Sequence, residues 1–136
     1  HLLPYWKTSN RYLFSGGSVN MRDAAVYAKE ENWSKAVELW KQTYETKKGK
    51  QKMYAAYNTA LGYEMQDSID TALEWALKAQ TLAREKSKTD KKETGEIHNG
   101  TISYYIFISM YVDELEKRKE GMARLNMQMN RFDDDF

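Results

Sequence analysis

Two imidazoles are all that the chain offers for histidine chemistry, His1 and His98. Glu96 lies two residues from His98, and on a helix that spacing sends the two side chains to different sides, a poor geometry for a shared metal ion. Cysteine is absent, which removes disulfides, thiol nucleophiles and thiolate zinc sites. No Ser/His/Asp set, glycine-rich phosphate loop or pair of carboxylates in an apolar setting can be assembled. Asp133-Asp134-Asp135 could attract calcium, but the run lacks the glycine and distal glutamate of a calcium loop and reads as a solvated tail. Asn32-Trp33-Ser34 and Asn99-Gly100-Thr101 fit the glycosylation sequon, although Trp33 reads as a core residue. The expectation is a non-enzymatic protein with no cofactor and no metal.

Charge gives a second test. Lys47, Lys48, Lys50 and Lys52 form one basic loop, and Arg84, Lys86, Lys88, Lys91 and Lys92 form another. Placed on one edge of a stack of hairpins, the two would make a positive stripe of the kind nucleic acid binds. Glu45, Glu85, Asp90 and Glu93 dilute it, no exposed aromatic interleaves it, and the net charge of the whole chain is only +1. A solubilising edge is the better reading, and no nucleic acid is expected. The longest nearly apolar run, Ile102 to Val112, falls well short of the ~20 residues that span a bilayer, so no transmembrane segment is expected.

The elements that would position any site are helical. Pro4 is the one proline, so nothing obligatory breaks a helix after it. Residues 1–17 carry Tyr5, Trp6, Tyr12, Leu13 and Phe14 without a clean period. They read as an aromatic arm, with RYLF a possible extended segment, docking on the first hairpin. After Gly16-Gly17, Ser18 or Asn20 can cap a helix whose face carries Met21, Ala24, Ala25 and Ala28. A second helix from about Trp33 to Thr46 presents Ala36, Val37, Trp40 and Tyr44. The next pair, Met53 to Leu82, is joined by Gln66-Asp67-Ser68 and fades near Lys86. It places Ala60 and Tyr63 against Ala72, Ala76 and Ala79, small residues that let two helices cross closely.

Ala24 and Ala60, Tyr27 and Tyr63, and Ala36 and Ala72 are each separated by 36 residues. Three pairs at one offset make a repeat. From Ile97 onward, Thr101, Tyr104, Ile108, Tyr111 and Leu115 form one stripe, with Tyr105, Ile106 and Val112 widening it. Residues 87–120 lack the alanine signature and read as a capping helix, which covers the open hydrophobic end that two stacked hairpins leave. In residues 121–136, Met122, Leu125, Met129, Phe132 and Phe136 form a further helical stripe. It reads as a tail that folds back on the core, or that pairs with a partner or a neighbouring copy.

On these residues, 18–86 resemble two tetratricopeptide-repeat hairpins. The second unit matches at Ala60, Tyr63, Ala72 and Ala79, and the first at Ala24, Tyr27, Ala36 and, in the large aromatic slot, Trp40. Departures are Asp23 and Thr59 in place of leucine, Ala76 in place of the aromatic, Lys48 and Arg84 in place of proline, and a period longer than the usual ~34 residues. The resemblance implies an all-α helix-hairpin solenoid with a C-terminal capping helix. Its concave groove would be lined by Met21, Arg22, Ala25 and Lys29, then Tyr54, Tyr57, Asn58, Leu61 and Met65. Asn58 takes the slot from which many members hydrogen-bond a ligand's backbone. That implies a protein- or peptide-binding or scaffolding module. The alternative is a purely structural domain, its groove filled by the arm, the cap or an upstream domain.

A weaker resemblance covers more of the chain. PYW…RYLFSGG…MRDAAVYAKEENWSKAVELW…AAYNTALGYEMQDSIDTALEWA is similar to the C-terminal half of a group of uncharacterised envelope lipoproteins from Bacteroides-type bacteria. It implies an α/β half upstream and a cell-envelope location. The missing initiator methionine fits a processed or excised chain.

Overall fold

Among the described residues, the proline-free stretches fold, as expected, into five helices. The computed structural model describes residues 2–5, 11–94 and 99–135, and the side chains of 11–88 and 104–131. His1 and His98 lie outside the described residues. Two short strands, β1 (Leu2–Tyr5) and β2 (Arg11–Phe14), precede α1 (Val19–Lys29), α2 (Trp33–Thr46), α3 (Lys50–Met65), α4 (Ile69–Thr94) and α5 (Asn99–Asp135). The class is all-α, with one antiparallel two-stranded ribbon in which Leu2 pairs with Phe14 and Tyr5 with Arg11.

The 36-residue offset is visible in the turns. Glu31 and Asp67 both adopt φ of 61°, the left-handed region, and both close the first helix of a pair. The following residue donates back across the helix end in the same way, Asn32 N–H to Tyr27 O at 2.8 Å and Ser68 N–H to Tyr63 O at 2.9 Å. That six-to-one bond satisfies carbonyls the helix end would leave orphaned. Ser18 and Asn32 then cap the helices that follow them, accepting from Met21 N–H and Lys35 N–H.

Each helix packs on its neighbour in sequence, α1 on α2, α2 on α3, α3 on α4 and α4 on α5. Small residues sit at the crossings, as their spacing predicts. Ala24, Ala36, Ala60, Ala72, Ala76 and Ala79 are all fully buried. Trp40 is buried too, in the wedge between the hairpins, where a side chain on Gly62 would run into Val37 and meet Trp40 at 3.3 Å. Thr59, which stands in a leucine slot, is also buried and bonds its hydroxyl to Ala55 O at 2.7 Å.

Three boundaries differ from expectation. α4 does not fade near Lys86 but runs to Thr94, so Arg84, Lys86, Lys88, Lys91 and Lys92 ride on a helix rather than in a loop, and the last helix begins at Asn99, not residue 87. α5 continues through Gly121 to Asp135, so residues 121–135 are not a separate segment folded back on the core. Met122, Leu125 and Met129 along it are exposed. The arm docks chiefly on α3, in the second hairpin, and only lightly on α1. Phe14 explains that choice: it finds a ring-lined slot on α3 that the alanines of α1 do not offer.

Candidate functional site

α3 is the helix around which the site is built. Its positions Tyr54, Tyr57, Leu61 and Glu64 advance by three or four residues and so share one side, with Asn58, four from Tyr54 and three from Leu61, beside them. The opposite side, with Ala56 and Ala60, is taken up by helix crossings. Tyr57, Asn58, Leu61 and Glu64 are each at most 1% exposed. What covers them is β2 together with α5.

Asn58 engages both backbone groups of Phe14. Its Oδ1 accepts from Phe14 N–H at 2.9 Å, and its Nδ2 donates to Phe14 O at 2.7 Å. Tyr57 Oη donates to Tyr12 O at 2.5 Å. In a strand, residues two apart present their backbone polar groups to the same edge. Two adjacent side chains of α3 therefore pair with one edge of β2, while β1 pairs with the other. A buried strand edge must be satisfied somewhere, and here a helix supplies side chains in place of a third strand.

The side chain of Phe14 plugs the same face. Its ring stacks on Tyr54 with centroids 4.2 Å apart and meets Tyr57, Tyr104 and Phe107 edge-on at 5.3, 5.9 and 6.2 Å. Tyr54 Oη donates to Tyr104 Oη at 2.7 Å, tying α3 to α5 beside the plug. Burial first, then that hydrogen bond, pushes the Tyr54 phenol well above its ordinary range.

Below the plug lies a charged knot. Glu64 accepts from Arg11 in two places, Nε to Oε1 at 3.1 Å and Nη2 to Oε2 at 3.2 Å. Tyr111 Oη donates to Glu64 Oε1 at 2.8 Å, and Arg118 Nη1 donates to Oε2. One carboxylate thus ties β2, α3 and α5 together, and Arg11 also lies over the Tyr111 ring at 5.1 Å. Burial opposes the charge on Arg11, but the bond to Glu64 and its field outweigh that, and the guanidinium pKa is raised. Burial first and the Glu64 charge next hold the Tyr111 phenol well above its usual range; burial does the same to Tyr57, against the field of Arg11.

The groove residues expected from sequence therefore divide. Met21, Tyr57, Asn58 and Leu61 are buried, and Tyr54 is half-buried against Phe14. Arg22 and Lys29 are exposed on α1, away from this face, and Met65 is only partly buried because Glu64 takes the inward position. Of the two arrangements the sequence left open, a groove free for a ligand or one filled by the arm or the cap, Tyr57 and Leu61 take the filled one, under β2 and α5. Glu64 escaped sequence reading, although its step of three from Leu61 and seven from Tyr57 placed a carboxylate on the inward face. Arg11 and Arg118, its partners, are 53 and 54 residues away and carry no local signal.

What stays open beside the plug is a cleft of about 240 Å³ lined by Arg11, Tyr12, Tyr57, Phe107, Met110 and Glu114, among others. That is below the ~300–1,000 Å³ usual for small-molecule sites. Among the described residues, no helix is long and apolar enough to cross a membrane. A family model described as "Domain of unknown function (DUF6340)" matches residues 22–117, from α1 to the turn of α5 before Arg118. No curated protein and no solved structure matches the chain.

Proposed function

The chain belongs to the DUF6340 family, and from the geometry of α3 we propose a non-enzymatic scaffolding module whose helical hairpins capture an extended strand by its backbone. The tetratricopeptide resemblance puts Asn58 in a slot that reads a ligand's backbone, and Asn58 here brackets Phe14 N–H and C=O. That one contact carries the proposal. Backbone recognition is indifferent to most of the captured sequence, while the Phe14 slot supplies selectivity for an aromatic. The hairpins act as a clamp that presents the ribbon β1–β2 in a fixed orientation. The peptide-binding reading survives as exchange: a foreign extended segment with an aromatic at the Phe14 position would use the same clamp.

Amide hydrogen exchange tests both. A clamped strand gives slow exchange at Phe14 in the parent chain and fast exchange in Asn58→Ala, with the helical circular dichroism signal kept. Phe14 exchanging at the free-peptide rate in the parent would overturn the scaffold reading. Faster Phe14 exchange on adding an aromatic-bearing extended peptide would favour the exchange reading.

A further inference from the structure

The inward stripe of α5 does not stop where the body of the protein stops. Ile108, Tyr111 and Leu115 are fully or almost fully buried against α3 and α4, and Arg118 marks the margin with its bond to Glu64. The same alternation of four and three then continues through Met122, Leu125, Met129 and Phe132, about 21 Å of helix from Arg118 to Phe132 at 1.5 Å per residue. Met122 is 42%, Leu125 54% and Met129 57% exposed. A strict four–three alternation has the 3.5-residue period of a coiled-coil seam, not merely of a helix resting on a globular core. The seam is covered from Ile108 to Leu115 and bare at Met122, Leu125 and Met129.

We propose that the bare half pairs with the same segment of a second copy, running antiparallel. The charges choose both the partner and the direction. Lys117, Arg118 and Lys119 stand at one end of the bare seam and Asp133, Asp134 and Asp135 at the other. A two-fold axis near residue 127 sets Met122 opposite Phe132 and Leu125 opposite Met129 of the second copy. It brings Lys119 to the register position facing Asp133 of the second copy, and it does so twice, because an isologous interface repeats each contact. Asn126 and Gln128 face their own counterparts, which can exchange amide hydrogen bonds. A parallel pair would instead set Arg118 against Arg118 and stack two aspartate triplets, a like-charge arrangement that disfavours it.

The surroundings fit. Lys119 is 56% exposed and reaches Asp70 at 3.0 Å, so it lies at the edge of the body, within reach of an incoming helix. A groove of about 420 Å³ opens there between the α4 start and α5, lined by Asp67, Ile69, Asp70, Lys119 and Met122 among others. Under the antiparallel register, the end of the second copy's α5 arrives at this groove, where Asp67 and Asp70 oppose its aspartates and Lys119 supplies the attraction. A lipid surface is the weaker occupant, since the segment mixes Arg124 and Arg131 with Glu120 and Asp133-Asp134-Asp135 rather than presenting a uniformly basic face.

Sedimentation of the full chain from micromolar to near-millimolar concentration tests the pairing. The expected result is a mass moving from 16.0 kDa toward twice that value, and a return to monomer in Leu125→Asp/Met129→Asp at an unchanged melting temperature. Lys119→Asp should weaken the dimer at least tenfold, and Lys119→Asp with Asp133→Lys in one chain should restore it. Because the chain has no cysteine, direction can be read by oxidation. Chains carrying Leu125→Cys should link to chains carrying Met129→Cys, not to each other. A monomer at all concentrations, a dimer indifferent to the double aspartate variant, a Leu125→Cys self-link, or a monomer that binds neutral or anionic vesicles through this segment would each overturn the proposal.

Discussion

Asn58 and Phe14, 44 residues apart, form a closed pair in which one carboxamide satisfies both backbone groups of one strand residue, at 2.9 and 2.7 Å. Asn58 is fully buried. Its removal leaves a donor and an acceptor without partners in a dry setting, each costing about 1–3 kcal/mol. Asn58→Ala should therefore destabilise the chain by roughly 2–4 kcal/mol in urea unfolding. A loss under about 0.5 kcal/mol would mean the strand edge is hydrated when Asn58 is gone.

Glu64 is the second lever. Glu64→Gln keeps the shape but leaves Arg11 and Arg118 without their counter-charge, and breaking a buried pair by removing one partner costs about 3–5 kcal/mol. Arg118, with its side chain 35% exposed, can recover hydration, so about 2–4 kcal/mol is expected here. Arg11, 11% exposed, should matter more than Arg118. Urea unfolding should order the losses as Glu64→Gln, then Arg11→Ala, then Arg118→Ala; equal losses for the two arginines would contradict the burial difference.

Alkaline pH probes the same region. Tyr57 and Tyr111 have phenol pKa values raised above the ordinary one, so folding favours their protonated forms. Their stabilising contribution is complete below the unfolded pKa, about 10, and is lost as pH rises beyond it toward the folded values. Stability should thus fall from about pH 10 upward, and Tyr111→Phe should flatten part of that fall. In ultraviolet titration, Tyr57 and Tyr111 should ionise only with unfolding; reversible ionisation of all ten tyrosines in the folded chain would contradict their burial.

Two glycines in helices should respond to alanine with opposite signs. Gly62→Ala sets a methyl against Val37 and Trp40, an overpacking cost of about 1–3 kcal/mol that exceeds the helix-propensity gain of about 1 kcal/mol. Gly121 has open space around it, so Gly121→Ala should stabilise α5 by up to about 1 kcal/mol. Melting temperatures of the two variants decide it.

Trp40 separates volume from hydrogen bonding. The ring is fully buried and its indole N–H has no hydrogen-bond partner. Trp40→Ala should cost about 3–5 kcal/mol, and Trp40→Phe clearly less, since no hydrogen bond is lost with the nitrogen. Equal costs would place the stabilisation in the indole nitrogen.

The helical class, the two hairpins and their 36-residue offset were legible in the residues alone. Helix periodicity, alanine crossings and capping turns act over three to six neighbours, and Glu31 and Asp67 adopt the same left-handed conformation because each ends the same local motif. What lies on α3 was not legible. Tyr54, Tyr57 and Leu61 announce an apolar face, but a face of that kind is equally served by a foreign ligand, by β2 or by α5. Only the closure of long loops, which brings Phe14 to Asn58 and Arg11 and Arg118 to Glu64, selects the occupant. The extent of α5 was decided the same way. Residues 121–136 read as a tail separate from the capping helix, yet the glycine at the junction costs a helix only about 1 kcal/mol, and α5 runs through it.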